Sequence, residues 1–326
     1  MIRKALFTLT FIAIVVPAIS FAQVNDQISV STDPINPGAN QSVTVTLQSY
    51  SLDLQSSEID WSLDGKRMKG GIGNNTFTFT TKSIGSPSTV SVTVIPIGVP
   101  QITKTITINP MSVDILWQAT DSIVPPLYKG KAMPTSESQI KFVAIPQVQT
   151  AGGSLVASSS LIYDWKENYI SDQSNSGYGK DFFITAMDYL NPTKDVSVSV
   201  GTRDGGTATD GTVEIKPINP EVLWYASSPL YGPLFSAALG DSYTVAGNET
   251  SLVAMPYFFS PSNPASNLLS YAWQINGTAV DTPTIPNSLY LHRDSSSTGS
   301  ATIDLSISNT TKLFQEATTH LNLLLQ

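Results

Sequence analysis

Cysteine is absent from all 326 residues. That absence excludes disulfides, a thiolate nucleophile, a Cys-ligated metal and a lipid-bearing cysteine behind a leader. Histidine occurs only at positions 292 and 320, so imidazole chemistry has little to draw on. Charge is sparse, at 13% of residues, and the balance of 17 Lys+Arg against 25 Asp+Glu is acidic. Lys and Arg are scattered, with no basic stripe. An acidic chain repels phosphate backbones, which argues against nucleic acid, and anionic membrane surfaces fall for the same reason. Beyond residue 22 no apolar run approaches the roughly 20 residues of a membrane-spanning helix.

The apolar run that exists is at the start. Arg3 and Lys4 precede an almost wholly apolar stretch from Ala5 to Ile19, and Ser20 and Ala22 stand three and one residues before Gln23. This three-part pattern is that of a secretory signal over residues 1–22. An uncleaved anchor is the alternative, but the run is marginal in length and Pro17 breaks it. The reading is an exported protein, periplasmic, cell-surface or extracellular. Without residues 1–22 the chain has 304 residues and 15 Lys+Arg against 25 Asp+Glu, a net charge of −10. That length suits two or three domains of about 100–150 residues.

A repeat organises those residues. Trp61, Trp165 and Trp273 sit in matching contexts, Ile59-Asp60-Trp61, Tyr163-Asp164-Trp165 and Tyr271-Ala272-Trp273, at spacings of 104 and 108. Leu116-Trp117 answers Leu223-Trp224 at 107, and Val143-Ala144-Ile145-Pro146 answers Val253-Ala254-Met255-Pro256 at 110. Within the units, alternation such as Val90-Ser91-Val92-Thr93-Val94 and Val196-Ser197-Val198-Ser199-Val200 marks half-buried strands. Clusters at Asp64-Gly65, Gly70-Gly71, Asp204-Gly205-Gly206, Asp210-Gly211 and Asn276-Gly277 read as the turns between them. No amphipathic helix is evident after residue 22. The prediction is all-β: three tandem Ig-like β-sandwich domains over residues 23–110, 111–219 and 220–326. Ile108-Asn109-Pro110 and Pro217-Ile218-Asn219-Pro220 close the first two units, because proline cannot donate to a sheet ladder.

The aromatic-x-Trp strand with its Asp/Asn-Gly turn and Ser-Val-Ser-Val strands resembles the PKD-like and bacterial Ig-like families. The full-length pattern, with Val-Ala-Met-Pro-Tyr-Phe-Phe from residue 253, is similar to a family of secreted three-domain proteins from candidate-phylum bacteria. The Gly-Asp-Gly turn of the fuller PKD motif is degraded, with partial matches at Asp64-Gly65 and Asn276-Gly277 and none at Lys166-Glu167-Asn168. The resemblance covers the chain after residue 22 and implies adhesion, spacing or envelope assembly rather than catalysis.

Candidate chemistry is thin. His292-Arg293-Asp294 lacks a nucleophile elbow and reads as surface strand, and His320 lies in an alternating terminal strand. Two carboxylates, Asp204 and Asp210, could serve one calcium, but a plain hairpin turn explains the same residues. Trp61, Trp165 and Trp273 could be sugar-stacking platforms, yet their mid-strand recurrence favours the core between sheets. No catalytic, metal or cofactor site is assigned. The segments 120–138 and 227–249 are long connections between the first two strands of their domains, where the first domain has a short one. They carry Leu127 and Tyr128, and Leu230, Tyr231, Leu234 and Phe235. These residues are expected either to pack on the preceding domain or to form a partner-binding patch. The functional expectation is a non-catalytic envelope or surface module that binds a protein or glycan, for adhesion or as accessory to a pilus or secretion assembly. The alternatives are a carbohydrate-binding or hydrolase-accessory protein and a periplasmic chaperone.

Overall fold

Valine and isoleucine alternating with serine and threonine make strands with one apolar face, and such strands must pair face to face to bury it. The computed structural model describes residues 27–150, 154–191, 193–203, 208–293 and 298–325. The signal segment 1–22, Asp204-Gly205-Gly206 and Asp294 lie outside them. Among the described residues there is no α-helix, and the chain is an all-β, Ig-like array of sandwiches.

The first sandwich comprises β1 (Ser29–Asp33), β2 (Ser42–Gln48), β3 (Glu58–Leu63), β4 (Lys66–Ile72), β5 (Thr76–Thr80), β6 (Ser88–Ile95) and β7 (Ile102–Ile108). Its sheets run β1-β2-β5 and β4-β3-β6-β7. Val43, Val45, Phe77 and Phe79 on one sheet close over Ile59, Trp61, Val90, Val92 and Val94 on the other. The second sandwich repeats the plan with β8 (Ser112–Ala119), β9 (Gln139–Gln147), β10 (Ile162–Glu167), β11 (Ile170–Ser171), β12 (Gly177–Tyr178), β13 (Phe182–Ala186), β14 (Lys194–Gly201) and β15 (Ala208–Ile215). Its sheets are β13-β9-β8 and β11-β10-β14-β15, with β12 also on β10.

The third comprises β16 (Glu221–Ser228), β17 (Gly232–Pro233), β18 (Ser242–Val245), β19 (Glu249–Tyr257), β20 (Leu269–Ile275), β21 (Thr278–Val280), β22 (Ser288–His292), β23 (Gly299–Asn309) and β24 (Glu316–Leu325). Its sheets run β17-β16-β19-β22 and β18-β24-β23-β20-β21. The chain therefore changes sheets between β17 and β18, and β18 pairs parallel with β24, Ser242 opposite Asn322 through Val245 opposite Leu325. The strands of the first sandwich form one compact unit; the second and third sandwiches together form another.

Two expected turns are strand. Gly70-Gly71 lies inside β4, and Asp210-Gly211 inside β15. Glycine serves close approach at the second site: a Cβ on Gly211 would meet the Val113 carbonyl oxygen at 2.7 Å. The β8 backbone passes too near for a side chain. Asp210 instead accepts a hydrogen bond from Ser199 on the neighbouring strand.

Candidate binding surfaces

The three repeated tryptophans are core. Trp61 and Trp165 are 0% exposed and Trp273 is 1%. Each indole also satisfies its single donor in the same way. Trp61 Nε1 donates to the Asn74 carbonyl at 2.8 Å, Trp165 to Lys180 at 2.8 Å and Trp273 to Pro286 at 3.0 Å. Each acceptor lies two residues ahead of the next strand of the opposite sheet, so the indole pins the crossing between sheets. Two residues upstream, the Tyr163 and Tyr271 hydroxyls donate to the carbonyls of Ser158 (2.9 Å) and Pro264 (2.6 Å). Burial, reinforced by the negative charge of Asp181, pushes the Tyr163 phenol up to about 12. Burial raises Tyr271 too.

The segment 120–138 packs on the sandwich that follows it, an arrangement that neither alternative of the expectation, the preceding domain or a partner-binding patch, named. The reason is topological. β8 starts at the upstream end of its sandwich and runs eight residues, so the loop after it emerges some 25 Å away at the downstream end. There Ile123 exchanges two backbone hydrogen bonds with the third sandwich: its N–H donates to Phe259 O at 2.9 Å, and its carbonyl accepts from Phe258 N at 2.7 Å. The Ile123 side chain, 4% exposed, belongs to the hydrophobic core of the third sandwich.

A polar seam surrounds it. Thr135 Oγ1 donates to Phe258 O at 3.0 Å, and the Ser138 and Ser260 hydroxyls are 3.3 Å apart. Gln315, 1% exposed, donates to Ser136 O at 2.6 Å and accepts from Ser260 N at 3.0 Å. Lys312 pairs with Asp121 at 2.6 Å and donates to Glu137 O at 3.0 Å, while the Glu137 carboxylate accepts from Leu313 N. Leu127, Glu137, Phe258 and Phe314 all take positive φ here, a concentration of left-handed non-glycine backbone in one junction. Tyr128 stacks edge-on against Phe258 at 6.4 Å. Leu127, at the third position of a Pro125–Tyr128 turn, is 97% exposed.

The segment 227–249 behaves differently. It turns back on its own strand as the β16–β17 hairpin, with Ser227 opposite Pro233 and Ser228 opposite Gly232. Leu234 N donates to Ala226 O at 2.8 Å, and Phe235 packs edge-on against Tyr225 at 5.1 Å. Leu230 and Tyr231 form the tip, each 78% exposed; Leu234 and Phe235 are less so.

A further surface lies outside the segments that the repeat pattern marks. On the outward face of β13-β9-β8, Phe182 lies opposite Val143 and Val143 opposite Leu116, while Ile184 lies opposite Lys141. Leu116, Phe182, Ile184 and Ile145 are exposed. Lys131 sits over the half-buried Trp117 ring at 3.8 Å, and Lys141 over Phe182 at 4.7 Å. Leu116, Trp117, Lys129, Lys131, Lys141 and Val143 line a cleft of about 530 Å³. The signal in the sequence is a strand apolar on both faces, Phe142 through Ile145, beside the uninterrupted Phe182-Phe183-Ile184.

His292 and Glu249, cross-strand neighbours, approach to 3.7 Å at an open edge, both well exposed. His320 is exposed on β24. Among the described residues no three His, Cys, Asp or Glu side chains are grouped to hold a metal ion, and no helix is long and apolar enough to cross a membrane.

No protein-family model matches the chain, and no curated protein matches its sequence. Solved structures match at the level of fold. The three N-terminal domains of the bacteriophage RB49 Highly Immunogenic Outer Capsid protein are 12% identical, covering 92% of this chain and 98% of that one, with a TM-score of 0.26. The fibronectin(III)-like modules of Clostridium thermocellum CbhA are 11% identical, covering 58% and 94%, with a TM-score of 0.29. The Bacteroides ovatus protein SGBP-B, solved with a mixed-linkage heptasaccharide, is 10% identical, covering 89% and 65%, with a TM-score of 0.22.

Proposed function

We propose that this chain is a non-catalytic, exported surface protein of PKD-like or bacterial Ig-like kind. It acts as a binding and spacing module in adhesion or in a surface assembly such as a pilus or secretion accessory. The observation that carries this reading is the outer face of β13-β9-β8. Three adjacent strands present apolar side chains to solvent there, beside Lys129, Lys131 and Lys141. Contiguous exposed apolar surface ringed by charge suits a protein partner with an apolar centre and an acidic rim. The test is crosslinking capture from the organism's own envelope, comparing the wild type with Leu116→Glu/Phe182→Glu. The expected result is a partner captured by the wild type and lost by the variant at unchanged melting temperature. Equal capture by both proteins, or hydrolytic turnover of envelope glycans by the purified chain, overturns the reading.

The Trp117 cleft favours one second reading, an acidic glycan held by lysines against an indole. Lys131→Ala/Lys129→Ala abolishing binding to acidic oligosaccharides, with protein capture intact, selects that reading instead.

A further inference from the structure

An edge strand offers a row of N–H and C=O groups to any chain that can match it. One such strand, β13, ends the β13-β9-β8 sheet, and among the described residues it pairs with β9 alone. Its ladder bonds come from the odd-numbered residues. Ala144 N donates to Asp181 O at 2.9 Å and Met187 N to Ser138 O at 2.9 Å, and the register between them is unbroken. In an antiparallel pair the residues between such bonds face the other way. The backbone groups of Phe182, Ile184 and Ala186 therefore point out of the edge, where Thr185 Oγ1 lies 3.5 Å from Ala186 O.

The repeat shows how the same edge is treated in the other sandwiches. The indole acceptors Asn74, Lys180 and Pro286 each stand two residues ahead of this strand, which aligns β5, β13 and β22 position by position. The inward residues agree: Phe77, Phe183 and Leu289 are all buried. The outward residues do not. They are Thr76, Thr78 and Thr80 in the first sandwich. In the third they are Ser288, Tyr290 and His292, the last two beside the Glu249 carboxylate. Polar and charged side chains of this kind keep an edge from pairing. In the second sandwich the same three positions hold Phe182, Ile184 and Ala186, with Phe182 and Ile184 exposed. No charge, proline, glycine or bulge protects the strand.

The ends of β13 specify what matches it. Lys180 and Asp188 flank Ile184 at equal distance, and the period of two puts both on its face. When β13 meets a second β13 antiparallel about Ile184, Phe182 lies opposite Ala186, Ile184 opposite itself and Lys180 opposite Asp188, the last pairing occurring at both ends. The outward backbone groups of Phe182, Ile184 and Ala186 fall at the hydrogen-bonded positions of that register, so each finds a partner across the axis. Asp188 is held by its own turn, accepting from Leu190 N at 2.8 Å.

We infer that this chain forms a two-fold dimer through β13, joining two β13-β9-β8 sheets into one continuous sheet. The contact is isologous and uses up both edges, so assembly stops at two copies. The outward faces of the two sheets, each with its Trp117 cleft, become one surface.

The experiment is sedimentation velocity on the purified chain from Gln23 across a wide concentration range. No other protein is present, so its outcome is separate from capture of an envelope partner. The wild type should pass from monomer to dimer and go no further. Lys180→Asp sets carboxylate against carboxylate at both ends of the contact, and Asp188→Lys sets ammonium against ammonium. Each variant alone should dimerise about tenfold more weakly. Their equimolar mixture should regain the wild-type affinity, because the mixed dimer has acid opposite base at both ends. Ile184→Pro removes an N–H that the fold does not use and should abolish the dimer with the far-ultraviolet circular dichroism unchanged. A wild type that stays monomeric, or that grows past the dimer, overturns the inference. So does a mixture as weak as its components, which would place the contact elsewhere, or full dimerisation by Ile184→Pro.

Discussion

Tyr169 occupies a backbone conformation that suits glycine. Its φ is 68°, following Asn168 at 48°, and its side chain is largely exposed. The pair is equivalent to Asp64-Gly65, at 52° and 80°, and to Asn276-Gly277, at 51° and 76°. The first residue of each pair stands three past the repeated tryptophan, and its side chain accepts from a strand N–H across the sheet: Thr89 to Asp64 at 3.0 Å, Asp195 to Asn168 at 3.0 Å, Thr302 to Asn276 at 2.9 Å. Two consecutive positive φ values make the tight hairpin turn whose twist matches the strands. A bulky residue in that region is disfavoured by about 1 kcal/mol. Tyr169→Gly should therefore raise the stability of the second sandwich by about 0.5–1 kcal/mol in chemical denaturation; a loss of stability would show that the tyrosine ring contributes more than its backbone costs. The motif looks broken at Lys166-Glu167-Asn168 because glycine is the visible half of the signal. The half that bonds across the sheet, Asn168, is in place, and a fixed offset from tryptophan identifies it.

At the scale of elements, Ile123 belongs by sequence to the second sandwich and by packing to the third. Ile123→Ala should cost about 2–4 kcal/mol, as removal of a buried isoleucine does, and the loss should fall on the third sandwich. Hydrogen exchange resolved by strand would read it: β19 and β23 should lose protection while β10 and β14 keep theirs. Even loss across both sandwiches would place Ile123 in a single cooperative unit. The strands themselves were legible, because the period of two in Val90–Val94 and Val196–Val200 puts every valine on one face of a strand and scatters them around a helix. The direction in which the 120–138 segment reaches was not, since chain proximity to a linker suggests the upstream neighbour while strand length carries the loop to the downstream one. The Gln315 seam was illegible for a plainer reason. A glutamine that satisfies backbone groups 55 and 179 positions away leaves no local periodicity.

For the whole molecule, buried phenols distinguish the sandwiches. Tyr163 in the second and Tyr257 and Tyr271 in the third are buried, and burial raises all three phenols. The first sandwich has Ile59 where the others have Tyr163 and Tyr271. A raised folded-state value means that these groups add stability below pH 10, where folded and unfolded phenols are both protonated. That stability drains as pH rises from 10, where the unfolded phenol ionises, through about 12 for Tyr163. Calorimetry at stepped alkaline pH should therefore show the second and third sandwiches losing melting temperature above pH 10 while the first holds. Parallel decline of all three would remove buried tyrosine as the cause.

The parallel pairing of β18 with β24 sets how the third sandwich meets tension. A pull between Glu221 and Leu325 first peels β16 from its antiparallel partners β17 and β19, and then draws β18 backward from its first residue and β24 forward from its last. The two strands run the same way, so the load falls along them, and the hydrogen bonds from Ser242 to Val245 are sheared together rather than opened in sequence. In the first and second sandwiches every pairing among the described strands is antiparallel, so neither has a parallel pair to be sheared in this way. Under stretching, the third sandwich is the one built to yield last.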